Sequence, residues 1–190
     1  MTTSKAELPV WAPDPVHSSV GFTVRHLVVS KVRGKFGRWT GNILMDEHDL
    51  ASAQVDVSIE TASVDTGVEQ RDNHLRSGDF FDVEKYPAMT FKSTRVEKAQ
   101  DGELRLVGNL TLHGVTRPVV LDVEYAGSQK DPWGGLRAGF SAHASLDRRE
   151  FGLTYNQLLE TGGVVVGEKV DVDIEIEAVK QVPAAAGAAA

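Results

Sequence analysis

The sequence predicts an all-β domain of about eight half-buried antiparallel strands, with one or two short helices. Three observations carry this: period-two alternation recurs in segment after segment, one segment breaks that rhythm with helix signals, and the rest reads as turns. In "HSSVGFTVRH", residues 17–26, Val20, Phe22, Val24 and His26 share one face, while His17, Ser19, Thr23 and Arg25 share the other. One histidine therefore points outward and one inward. His26 reads in two ways: a core histidine hydrogen-bonded to a backbone carbonyl, or the polar anchor of an apolar pocket.

"WTGNILMD" contributes Trp39, Ile43 and Met45 less regularly, and "SAQVDVSIET" sets Ala53, Val55, Val57 and Ile59 inward. The rhythm stops at "TGVEQRDNHLRSGDFFD", residues 66–82. Thr66 with Glu69 has the spacing of a capping box and Gly78 is a natural stop, so a helix is expected between them. Its charged set, Arg71, Asp72, His74 and Arg76, reads as a solvated face with a local Arg–Asp pair, or as a cationic rim for an anionic head group. "AMTFKST" returns to a strand through Met89 and Phe91.

"ELRLVGNLTLHG" aligns Leu104, Leu106, Leu110 and Leu112, with Gly108 where a strand could bend. "PVVLDVEY" aligns Val119, Leu121, Val123 and Tyr125, and "DPWGG" is a turn whose Trp133 is expected to cap apolar surface or guard a rim. "LRAGFSAHASL" aligns Leu136, Ala138, Phe140, Ala142, Ala144 and Leu146. A second short helix is expected in "YNQLLETGG". The last strand sets Val170, Val172, Ile174 and Ile176 against Asp171, Asp173, Glu175 and Glu177.

Such strands hide their apolar faces in a sandwich or in a sheet closed as a barrel, and composition alone fits both. The inward rows hold almost no polar residue, so a cavity between them would be dry and suited to hydrocarbon. At 190 residues, with 41% apolar residues, the chain suits one domain over 10–180 between a flexible 1–9 and an Ala-rich, disordered 181–190. A net charge of -7 and a pI near 5.3 argue against nucleic acid, and acidic membrane surfaces are expected to repel the chain as well.

There is no cysteine, which removes disulfides and thiolate catalysis. The histidines at 17, 26, 48, 74, 113 and 143 have no ligand-type spacing, so no metal is expected. No phosphate-binding glycine motif or serine elbow is present, so no cofactor and no catalytic residue is assigned. Without an apolar run fit for a signal peptide or a bilayer span, a cytoplasmic protein is expected.

The stretches "DPVHSSVGFTVRH", "GKFGRWTGNI", "ASVDTGVEQRDNHLRSGDFFDVEKYPAMTFKS", "GNLTLHGVTRPV" and "LDRREFGL" fall in order at compatible spacings. In them the chain resembles the YceI-like family of polyisoprenoid- or lipid-binding domains. The resemblance implies a lipocalin-like antiparallel barrel around an elongated amphiphile: a polyprenyl pyrophosphate, a quinone-like isoprenoid or a fatty amide. Many members are exported; this chain matches the leaderless ones.

The reading that follows is non-catalytic binding, storage or transport of an isoprenoid-type lipid. Val20, Phe22, Val24, His26, Trp39, Ile43, Met89, Phe91 and Phe140 are the lumen candidates. Arg71, His74, Arg117 and Arg148 are head-group or mouth candidates by resemblance, with Asp72 assigned to pinning the helix. A homodimer is compatible with this reading. Two alternatives are a small-barrel enzyme using His26 with a nearby carboxylate, and a ligand-free, stress-related structural protein with a solid core.

Overall fold

The alternating segments form strands β1 (Val10–Pro13), β2 (Ser19–His26), β3 (Ser30–Phe36), β4 (Trp39–Asp46) and β5 (Asp49–Glu60). After a two-residue β6 (Val64–Asp65) comes the helix α1 (Glu69–Arg76). The chain then continues through β7 (Ala88–Lys98), β8 (Leu104–Leu112), β9 (Val115–Lys130), β10 (Leu136–Asp147) and β11 (Val166–Lys180). The structure, a computed structural model, describes residues 8–27, 29–98, 103–157 and 165–182.

Pairing in the order β4-β5-β7-β8-β9-β10-β11-β1 returns to β4, so eight antiparallel strands close into a barrel. Closure removes the free edges that an open sheet would expose. The short β1 is the keystone: Trp11 lies opposite both Lys180 of β11 and Ile43 of β4. Strand β11 continues past β1 onto β2, whose hairpin with β3 carries β6 at its outer edge.

Inward residues pack in two clusters. The larger, around Phe36, Ile59, Val64, Met89, Phe91 and Phe151, lines the barrel toward α1. The smaller, Trp11, Ile43, Met45, Ala138 and Ala178, plugs the opposite end. Trp11 is fully buried, and its indole N–H donates to the Met45 carbonyl at 3.0 Å, so the ring meets no unpaired polar group.

Two irregularities explain where the alternation reads poorly. A bulge between Ser93 and Arg95 changes the parity of β7, so that Val96 faces the cavity as Met89 and Phe91 do before it. A second, where Gly139 and Phe140 meet Gly127 and Tyr125, bends β9 against β10.

The capping box expected at Thr66 is not formed. Helix α1 starts two residues later, behind Val68 and without a side-chain cap, because the Thr66 hydroxyl and N–H both donate to Asp72 Oδ1. Residues 155–157 are not helical, and the rest of the expected second helix lies outside the described residues. Residues 1–7 and 183–190, most of the two ends expected to be flexible, also lie outside them.

Candidate functional site

The inward rows of β2, β4, β5 and β7 to β11 surround a cavity of about 370 Å3, within the range of roughly 300–1,000 Å3 usual for ligand pockets. Val20, Phe22, Val24, His26, Trp39, Ile43, Met89, Phe91 and Phe140 all line it. Leu75, Phe80 and Phe81, from α1 and the loop after it, close the side that the sheet leaves open. These three escape period-two reasoning because they do not belong to a strand.

Two rings owe their places to glycines across the sheet. Phe22 lies over Gly34, its register partner, where an added Cβ would be 2.8 Å from the ring's Cε1. Phe91 lies over Gly108, where a Cβ would be 2.6 Å from Cε2 and 2.6 Å from the Lys92 carbonyl oxygen. Gly108 therefore makes room for an aromatic ring, in addition to the bend read from the sequence.

The ionisable residues lining the cavity are Arg25, His26, Arg71, His74 and Arg148, and no carboxylate joins them among the described residues. Contacts bring them to one end. His26 pairs in register with Val166, whose carbonyl accepts from Arg148 Nη2 at 3.3 Å. Arg148 Nη1 donates to the Tyr155 carbonyl, and the Tyr155 ring meets His74 edge-on at 5.0 Å between centroids. Arg71 lies one helical turn from His74. Among the described residues that line the cavity only Arg25 and His74 are exposed, which places its mouth at this end.

Each of these side chains is held differently. Arg148 is 5% exposed. It donates to the carbonyls of Gly167, Leu153, Tyr155 and Val166, and burial pushes its guanidinium below the usual arginine range. It thereby ties the segment after β10 to the start of β11. Arg71 donates from Nε to the Thr66 hydroxyl at 2.7 Å and from Nη2 to the Thr66 carbonyl at 2.9 Å, and its Nη1 has no partner among the described residues. The expected Arg71–Asp72 pair is thus indirect: Thr66 stands between them. His74 Nε2 lies 2.8 Å from Asp79. The His26 ring nitrogens have no hydrogen-bond partner among the described residues.

Two placements differ from expectation. Arg117 is exposed beyond the barrel wall, where its Nε approaches the Glu150 carbonyl at 3.4 Å, and it does not line the cavity. Trp133 is 84% exposed at the tip of the β9–β10 turn and caps nothing. That turn is organised by Asp131, which accepts from the N–H groups of Trp133 and Gly135.

The closed end holds a charge cluster that sequence spacing conceals. Arg137 pairs with Asp14, Asp131 and Glu177, holding the Asp14 carboxyl well below the usual carboxylate range. Asp14, His17 and Glu177 offer ligand atoms within 4.8 Å of one another, but Arg137 already engages both carboxylates. No described helix is long and apolar enough to cross a membrane.

A family model for the YceI-like domain matches residues 11–178, nearly all of the barrel just described. The chain belongs to the YceI-like family. It is 42% identical over 165 residues to protein YceI of Escherichia coli O157:H7, covering 87% of this chain and 83% of that one. The crystal structure of the Campylobacter jejuni YceI protein superposes with a TM-score of 0.71 at 33% identity, covering 83% of this YceI-like chain and 90% of its own. A polyisoprenoid binding domain from Saccharophagus degradans, at 16% identity, shares the fold with a TM-score of 0.66, covering 92% and 99%.

Proposed function

We propose that this YceI-like protein binds and carries an elongated amphiphilic lipid of isoprenoid type, without transforming it. The observation that carries the reading is the cavity itself: an apolar space whose ionisable groups, among the described residues, are gathered toward one end. Hydrocarbon burial is worth about 0.8 kcal/mol per CH2, so such a space supplies affinity while the mouth fixes orientation. The phenylalanine rings and Met89 suit a branched, irregular chain.

The polar groups at the mouth are donors and cations, which suit a head group of acceptor oxygens, the feature that a pyrophosphate and a quinone share. The polyisoprenoid-binding name of the Saccharophagus degradans domain agrees with this chemistry.

The test is native mass spectrometry of the purified protein, with organic extraction of any bound lipid. An isoprenoid-type lipid is expected, and polyprenyl or quinone compounds should displace a hydrophobic fluorescent probe. Absence of both lipid and displacement would refute the reading.

A further inference from the structure

The tip of the β2–β3 hairpin breaks three local rules at once. Leu27 and Val29, the described residues of the turn, are aliphatic where turns favour glycine, asparagine, aspartate or serine. Leu27 adopts φ +52°, a region that a bulky side chain seldom enters, and Val29 is 87% exposed. Behind the tip, Arg25 and Lys31 face each other in direct register, and like charges so placed are destabilising. Neither they nor Arg33 has an ion-pair partner among the described residues.

These features share a setting. Residues 15–45 contain no aspartate or glutamate, yet carry Arg25, Lys31, Arg33, Lys35 and Arg38, in a chain whose net charge is -7. The acidic outer row of β11 begins at Asp171, opposite Thr23, while Glu168 nearer the tip is engaged by Arg149. Lys31 and Arg33 border a surface depression that Asp122, Asp171 and Asp173 also line, on the side of the hairpin away from its tip, and screening in physiological salt acts over about 8 Å, so at the tip itself the hairpin's cations lie nearest. The same hairpin supplies Val24, Arg25, His26 and Val32 to the cavity, so the tip stands beside the mouth.

We propose that this tip is a membrane-docking element: Leu27 and Val29 enter the interface of an anionic lipid surface while Arg25, Lys31 and Arg33 meet its head groups. The surface neutralises the opposed cations, covers the exposed aliphatic side chains, and presents the mouth of the cavity to the bilayer. Docking is independent of which lipid the cavity holds.

The experiment is flotation of the full chain with vesicles of phosphatidylcholine alone or mixed with about one-third phosphatidylglycerol, at low and high salt. Binding to the anionic vesicles only, weakened by salt, is expected. Each basic residue near an anionic surface is worth about a fivefold gain, so Arg25→Gln/Lys31→Gln/Arg33→Gln should lower partitioning about a hundredfold. Leu27→Asn/Val29→Ser places a residue tolerant of positive φ in the turn, so it stays folded, and it should lower partitioning at least about tenfold. Trp133→Ser, at the opposite end, should change nothing. The proposal is overturned if the wild type ignores anionic vesicles, if the folded tip variant binds as well as wild type, or if Trp133→Ser removes binding. Cavity occupancy is read separately by probe displacement, so failure of docking and failure of lipid binding remain distinct results.

Discussion

Replacing Gly108 with alanine puts one methyl group where no room exists. Its Cβ would lie 2.6 Å from Phe91 Cε2 and 2.6 Å from the Lys92 carbonyl oxygen. The ring could swing into the cavity, but the carbonyl belongs to the β7–β8 ladder, where Lys92 faces Asn109, and can move only by disturbing it. Overpacking of this kind costs about 1–3 kcal/mol, and the backbone obstacle selects the upper end. The intrinsic gain of alanine over glycine in a strand returns about 0.5–1 kcal/mol, leaving a net loss of about 2 kcal/mol. For a chain of this size that is a fall in Tm of about 4–8 °C. Gly34→Ala is the matched control: its obstacles are the Phe22 ring and the Thr66 methyl 2.9 Å away, both side-chain atoms. It should cost less, and Phe22→Leu should rescue it, whereas Phe91→Leu should rescue Gly108→Ala only in part. Urea denaturation of the five proteins, wild type included for reference, decides the matter. A Gly108→Ala protein as stable as wild type, or fully rescued by Phe91→Leu, would refute the assignment of the Lys92 carbonyl as the obstacle.

Three further outcomes follow from other parts of the barrel. Arg148→Ala leaves four carbonyls without their donor, at a cost of at least about 3 kcal/mol, with hydrogen exchange accelerating first in 153–157 and 165–167. Asp147 is held down to about 2 by Arg149, below its ordinary 3.8, so its contribution is complete above the higher value and disappears as pH falls through the lower. Asp147→Asn should therefore flatten the acid limb of the stability curve in that window, as measured by denaturation across pH. Ala144→Phe projects a ring into the cavity; displacing about two methylenes of a bound chain costs about 1.6 kcal/mol, a more than tenfold loss of affinity in probe displacement with the fold intact.

What was legible in the sequence is what repeats with period two. Ala53, Val55, Val57 and Ile59 line the cavity as counted, as do Leu104 to Leu112 and Val170 to Ile176, because a buried barrel face tolerates no polar residue in the row. Counting failed where contacts cross strands. Nothing near Phe91 marks Gly108 as its seat, and nothing near Asp14 announces Arg137, far along the chain. Thr66 carried a genuine capping signal, but Asp72 and Arg71 draw its hydroxyl elsewhere, a tertiary arrangement that local pattern does not contain. Arg117 holds inward parity opposite Leu110 yet falls beyond the wall, since parity gives a face and not a height along the barrel. Trp133 illustrates the converse: its turn chemistry is legible, while the direction of a ring on a hairpin tip is not.

The seam at Trp11 has a consequence for the order of events in the cell. Its two flanking strands come from opposite ends of the folded chain, Ile43 from an early hairpin and Lys180 from the last strand. Contacts so distant along the chain form slowly and late. During synthesis the intervening strands emerge one after another as an open, curling sheet with its apolar face uncovered. The container comes into existence only when β11 leaves the ribosome and slides between β10 and β1. A cavity enclosed in this way is complete only after the last strand has been made.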